Sequence, residues 1–259
     1  MIGTMSDTAD KRLLVIGDVH GKFEELIDLL DRRDIRNAGL IQVGDFGVGF
    51  DTPELEGSRL AALDARLAEA DSTMYVLRGN HDDPGYFVEP GISSSGASLQ
   101  RPLPRYAHIH FLPDYSVMEP GGRRILVVGG AISVDRKARV PGATYWEDEE
   151  FRLDPERLAA LDLHDLWAVA THTAPDFAEP VHSRSLELFA YTFGDETLVD
   201  EAKREREALT ELHRLVSARA NPRYWFYGHF HAYVNSRIGD TTFVMLPELG
   251  LFEPQGSGD

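Results

Sequence analysis

The sequence contains no cysteine. That excludes disulfides, thiolate zinc sites and a cysteine nucleophile. No apolar run approaches the ~20 residues needed to span a bilayer. The opening stretch, MIGTMSDTADK, holds no hydrophobic segment of a secretory signal. A cytoplasmic protein without a membrane partner is therefore expected. Basic residues are scarce: 26 Lys and Arg face 43 Asp and Glu, for a formal net charge of −17. Such a chain repels nucleic acid and anionic membranes, so neither is expected as a partner. Divalent cations bound at one spot would reverse that charge locally.

What is present fits a globular protein. The 259 residues are 42% hydrophobic and 27% charged, enough for a sizeable core. One domain over 1–259 is expected, with its core over about 11–252 and disordered ends at 1–10 and 253–259. The first third alternates short apolar runs with amphipathic stretches. Leu13–Ile16, Leu40–Val43 and Met74–Leu77 read as buried strands. Phe23, Leu26, Ile27 and Leu30 lie at i, i+3, i+4, i+7 of a helix. A second helix begins near Pro53. This order implies parallel strands with right-handed crossovers. Residues 88–105 read as a loop, and 135–155 show no periodicity. Further strands are expected at AHIHFL, YSVMEP, RRILVVGGA, LWAVATH, YWFYGHFH, YVNSRI and TTFVML, with a hairpin at Gly121-Gly122 and a long helix over 195–220. Two sheets flanked by helices accommodate this element order.

Polar residues fall where those strands end. GDVHG occupies 17–21, GDFG 44–47, GNHDD 79–83, THTAP 171–175 and GHFH 228–231. Each alone is as well explained by a turn. Five in succession, each just after an apolar run, point to a shared rim beyond the carboxyl ends of the strands, where open α/β sheets bind ligands. The rim offers Asp18, His20, Asp45, Asn80, His81, His172, His229 and His231. This is an oxygen and nitrogen donor set without sulfur, suited to Mn²⁺, Fe, Co²⁺ or Zn²⁺. It holds more ligands than one ion needs. Two ions sharing a bridging carboxylate would use them all.

The order D-x-H, G-D, G-N-H-D, H, G-H-x-H, spread over 17–231, resembles the calcineurin-like metallophosphoesterase superfamily, in particular its bacterial and phage members. The resemblance implies an α/β fold, a two-sheet β-sandwich flanked by helices in four αββα layers, with a dinuclear centre at the strand ends. It assigns Asp18, His20, Asp45 and His231 to one metal and Asp45, Asn80, His172 and His229 to the other, with Asp45 bridging. His81 corresponds to the family's proton donor, and Asp82 to the acidic residue that orients it. The implied cofactors are two divalent ions, Mn²⁺ first, with Fe, Zn, Co or Ni as alternatives. Two ions ~4 Å apart clamp a phosphoryl group and activate a bridging hydroxide for in-line attack, while a histidine protonates the leaving oxygen. The implied function is hydrolysis of a phosphomonoester or small phosphodiester. A serine/threonine protein phosphatase-like enzyme and a non-catalytic metal-binding scaffold are the alternatives. The protein-phosphatase branch extends its second motif to G-D-x-x-D-R-G, whereas this chain reads GDFGVGF.

Further candidates lie beside the motifs. Arg78, in LRGNHD, is a candidate phosphate contact. The segment 129–150 resembles one found in bacterial and phage members, and its Arg136, Lys137, Tyr145 and Trp146 are candidates to line the pocket. His108 and His110 are expected as a partly exposed pair on one strand face. His164, His182 and His213 are expected at the surface, and the charged helix over 195–220 as a solvated face.

Overall fold

The computed structural model describes residues 11–88, 106–178 and 183–255. The expected loop from residue 89 onward, His182, and residues 1–10 and 256–259 lie outside the described residues. In chain order the elements are β1 (Arg12–Ile16), α1 (Phe23–Arg32), β2 (Ala38–Gln42), α2 (Pro53–Glu69), β3 (Thr73–Val76), β4 (Ile109–Phe111), β5 (Ser116–Met118), β6 (Arg124–Val128), α3 (Pro155–Ala160) and β7 (Leu166–Thr171). They continue with α4 (Ser183–Phe193), α5 (Leu198–Ser217), β8 (Tyr224–Tyr227), β9 (Val234–Ile238), β10 (Thr241–Met245) and β11 (Leu251–Phe252). The expected strands and long helices are all there, within a few residues of their predicted ends. α3, α4 and β11 are additions. Among the described residues no helix is long and apolar enough to cross a membrane.

The strands form two mixed sheets. The first runs β11-β1-β2-β3-β4 and the second β5-β6-β7-β8-β10-β9. Within the first, β1 to β4 are parallel and β11 is antiparallel to β1. Within the second, β6, β7, β8 and β10 are parallel, and β5 and β9 close the edges antiparallel. Alternation along each strand sorts the core into layers. Leu14, Ile16 and Leu40 face Phe23, Leu26, Leu60 and Leu63 of α1 and α2. Their neighbours Leu13, Val15 and Ile41 meet Ile125, Val127, Ala168 and Phe226 between the sheets. Leu126, Val169 and Trp225 then pack under Leu209, Leu212 and Val216 of α5. Helix, sheet, sheet and helix thus stack in the expected order.

Local chemistry fixes the helix starts. Thr52 caps α2 by accepting the Leu55 N–H at 3.4 Å, with Pro53 as first helical residue. Asp154 caps α3 by accepting the Arg157 N–H at 2.9 Å. Gly121 and Gly122 take left-handed φ in the β5–β6 turn. His108 and His110 are partly exposed as expected, but only His110 lies on a strand: His110, on β4, is exposed and stacks on Tyr75, and His108, just before β4, is half-buried beside Asp64. His164 is exposed as expected. His213 is not a surface residue. It is half-buried, because its ring packs on Phe177, Trp225 and Phe243 under α5.

Candidate metal centre

The turns after β1, β2, β3, β7 and β8 converge at one end of the two sheets. Asp18, Asp45, Asn80 and His172 are buried there, and His231 opens to solvent. Two donor groups form. Asp18, His20, Asp45 and His231 bring one ligand atom each within 4.8 Å of one another, and so do Asp45, His172 and His229. Asp45 belongs to both. His20 Nε2 lies 3.0 Å from His231 Nε2, and His231 Nε2 lies 3.0 Å from Asp18. His172 Nε2 lies 3.1 Å from Asp45 Oδ1 and 3.0 Å from Asn80 Oδ1.

The backbone is strained to bring these atoms together. His20, Asp45, His229 and His231 all adopt left-handed φ, between 51° and 67°. Non-glycine residues rarely do so, and clusters of such residues mark functional sites. His229 and His231 therefore sit in a turn beyond β8 and not on the strand expected over YWFYGHFH, which ends at Tyr227. The glycines of the motifs allow close approach. A Cβ on Gly79 would stand 2.1 Å from the Asp45 nitrogen, and one on Gly228 would stand 2.0 Å from Asp18 Oδ1.

The groups around the donors fix their orientation. His172 Nδ1 bonds to the Val43 carbonyl at 2.8 Å, which turns Nε2 toward the centre. Asn80 Nδ2 donates to Ser133 Oγ at 3.0 Å, and Ser133 donates to Glu149, so the Asn80 amide oxygen faces His172. The Asp45 carboxylate accepts the His81 N–H at 2.7 Å, and Asp18 accepts the His229 N–H at 3.1 Å. Burial works to raise the Asp45 carboxyl, but the charge and hydrogen bond of His172, with His81 and His20, hold it well below the usual range. Burial works to lower His172, but Asp45 holds its pKa up at about 9. Burial and the neighbouring His172 push His229 down to about 3.

Several sequence expectations need correction. Asp82 does not orient the His81 ring. Its buried carboxylate accepts N–H groups of Phe46, Gly47, Val48 and Gly79 at 3.2, 2.7, 3.3 and 2.8 Å, which fastens the Asp45 turn to the Asn80 turn. Arg78 points away from the centre. It is buried, donates to the carbonyls of Asp148, Glu149 and Glu150, and pairs with Asp114 at 2.9 Å. Arg136 is consumed by Asp195 at 2.6 Å, Glu150 at 3.3 Å and Glu201 at 2.5 Å. Lys137 is exposed, and Tyr145 closes the 140–145 turn through its backbone. Trp146 does not touch the donor residues with its ring, and its backbone N–H donates to Glu149 at 3.3 Å. Its ring meets Phe50 edge-on at 5.3 Å, and Phe50 stacks on His81 at 6.0 Å.

The residue that sequence reasoning missed is Arg139. Its guanidinium contacts the His81 ring and donates to the Asn80 carbonyl at 3.2 Å, and Asp135 holds it at 2.7 Å. Burial first, then Arg139 and His20, push the His81 pKa down to about 4 despite Asp45. The signal in the sequence was the cationic stretch DRKAR, whose spacing did not distinguish Arg139 from Arg136. Ser133 and Glu149, which set the Asn80 amide, carried no signal at all. Beside the centre opens a cavity of about 810 Å³, bounded at one end by Asp45, Asn80, His81, His229 and His231.

The sequence was compared with known protein families and the fold with solved structures. The sequence model of the family described as calcineurin-like phosphoesterase matches residues 11–233. Among solved structures the chain is similar to a conserved uncharacterized protein, a predicted phosphoesterase, of Streptococcus pneumoniae. Identity is 16%, over 95% of this chain and 76% of that one, with a TM-score of 0.33. It is also similar to the phosphopantetheinyl hydrolase of Mycobacterium tuberculosis, at 15% identity over 93% and 91%, with a TM-score of 0.40. Zinc-complexed Vps29 of Entamoeba histolytica is similar at 13% identity over 91% and 74%, with a TM-score of 0.32. No curated protein matches the sequence. With the motifs drawn together at one end of the two sheets and the family match spanning them, the chain belongs to the calcineurin-like phosphoesterase family and is a metal-dependent hydrolase of phosphoric esters.

Proposed function

We propose that the enzyme works with two divalent ions that share Asp45, and that it hydrolyses a phosphomonoester or a small phosphodiester. Asp18, His20, Asp45 and His231 would hold one ion, and Asp45, Asn80, His172 and His229 the other. The observation that carries this reading is the membership of Asp45 in both donor groups. The donors suit cations. His20 and His231 direct ring nitrogens at each other beside two carboxylates, an arrangement that a shared cation satisfies. His172 Nε2 faces both the Asp45 carboxylate at 3.1 Å and the Asn80 amide oxygen at 3.0 Å, donors that a second cation would share. The mixed oxygen and imidazole set favours Mn²⁺, with Fe, Zn, Co or Ni as alternatives.

When bound, such ions neutralise phosphoryl oxygens and make water acidic enough to attack phosphorus. The chain supplies the rest. His81 borders the cavity beside Asn80 and is the group we assign to protonate the leaving oxygen. Burial, aided by the Arg139 guanidinium on the ring, keeps His81 neutral. An anionic phosphoryl group competes for that guanidinium, and its charge raises the His81 pKa toward the working pH. The protein-phosphatase alternative loses its support, since Arg78 is spent on backbone carbonyls. The test is to strip the protein of metal, restore Mn²⁺, and compare an aryl phosphomonoester with an aryl phosphodiester. Mn²⁺-dependent turnover is expected, lowered roughly 10²- to 10⁴-fold in His81→Ala. Bound Mn²⁺ without turnover of either ester would overturn the reading.

A further inference from the structure

α4 carries Leu186, Phe189 and Phe193 at i, i+3, i+7, which puts them on one helical face. That face meets no core: every residue from Leu186 to Phe193 is half-buried or exposed. The three side chains instead wall the cavity beside the metal centre, together with Ile132, Val199 and Phe230. In a chain of net charge −17, an apolar stripe spent on a cavity wall calls for an apolar occupant. The cavity, about 810 Å³, is far larger than a phosphoryl group needs and lies within the range of small-molecule sites.

The polar groups are distributed unevenly. Asp45, Asn80, His81, His229 and His231 cluster where the cavity meets the centre. Away from it the cationic side chains are engaged. Arg206 donates to the carbonyls of Ala174, Pro175, Asp176 and Ala178, and its guanidinium lies 5.8 Å over the Phe230 ring. Lys203 pairs with Glu207 at 3.8 Å. Glu205 accepts the Phe151 N–H at 3.2 Å, and burial keeps it uncharged at neutral pH. Arg206, the half-buried cation of the far part, is thus committed to carbonyls, and Lys203 lies at the solvent-exposed rim.

We propose that the substrate is an amphiphilic phosphoester whose aliphatic chain lies between α4 and α5 while its phosphoryl group meets the metal centre. The proposal rests on the phosphoesterase reading above and names the substrate class for it. The occupant follows from continuity: one cavity joins a phosphoryl-binding end to an apolar end. Phe189 and its exposed neighbours Leu188 and Tyr191 make the outer surface of α4 apolar as well, as suits a path for such a chain.

The test is calorimetric binding of butyl, hexyl and octyl phosphonate, which cannot be hydrolysed, to the full chain with and without Mn²⁺. All are used below their micelle concentrations, with a triethylene-glycol phosphonate of octyl length as the polar control. Affinity is expected to rise roughly two- to fourfold per methylene, with no gain for the polar chain. Phe189→Asp, checked as folded by thermal melting, is expected to flatten that rise, and Phe193→Ala to weaken it. A flat alkyl series, or an equal gain for the polar chain, overturns the proposal. Turnover of aryl esters with a flat series removes the aliphatic substrate and leaves the phosphoesterase standing. A steep series without turnover of any ester removes the catalytic reading and leaves an apolar ligand site.

Discussion

Glu205 lies on α5 with its carboxyl buried among backbone groups of Phe151 and Ile132. Burial is the largest influence and moves its pKa from 4.5 up to about 8, against the two backbone hydrogen bonds. Between those values the folded chain keeps the proton that the unfolded chain releases. The folded state thus binds more protons, and stability falls as pH rises. The gap between 4.5 and about 8, at ~1.36 kcal/mol per tenfold change in proton affinity, corresponds to a loss of roughly 5 kcal/mol across the window. Asp82 and Glu149, both raised to about 7 chiefly by burial, slope the same way, so the parent protein alone does not isolate Glu205. Glu205→Gln does. Urea unfolding at intervals between about pH 5 and pH 8 should show the variant gaining roughly 3 kcal/mol on the parent over that range. The readout is the difference in slope, since the amide also exchanges one acceptor for a donor. Parallel curves would show that Glu205 ionises in the folded state and would refute the reasoning.

Other substitutions test the supports of the centre. Asp82→Ala strands four backbone N–H donors in the turns that carry Asp45 and Asn80, so it should lower unfolding free energy by about 3 kcal/mol or more in urea titrations. It should also weaken Mn²⁺ binding in the protein that remains folded. Arg78→Met leaves three carbonyls and the Asp114 carboxylate without their partner, at a cost of roughly 3–5 kcal/mol. Its KM for an aryl phosphate should stay within about twofold of the parent's, because Arg78 faces away from the centre; a large rise in KM would restore it as a phosphate contact.

The donor atoms were legible in the sequence because each motif follows an apolar run, and all but the one at His172 open with glycine. The strand pattern places Asp18, Asp45, Asn80, His172 and His229 at parallel strand ends, and parallel strand ends lie together. The layers were legible for the same reason: Leu13 and Leu14 alternate between two different cores. What was not legible depends on where a long side chain turns after its Cα is placed. Arg78 and Arg136 sit beside motifs, yet buried carbonyls and carboxylates claim them before any phosphate can. Arg139, three residues from Arg136 in a segment without periodicity, reaches His81 instead. Asp82 follows His81 in sequence but turns back to the Gly47 turn, because unpaired N–H groups there attract its carboxylate. α4 shows its period in Leu186, Phe189 and Phe193, but a stripe facing a cavity has no partner element in the sequence to confirm it.

The central claim is that one carboxylate joins two metal positions. Mn²⁺ stoichiometry, measured by equilibrium dialysis and elemental analysis on the metal-stripped protein and on Asp45→Asn, tests it directly. The account predicts two Mn²⁺ per chain in the parent and loss of tight binding at both positions in the variant. A single Mn²⁺ per chain, or two that survive Asp45→Asn, would contradict it.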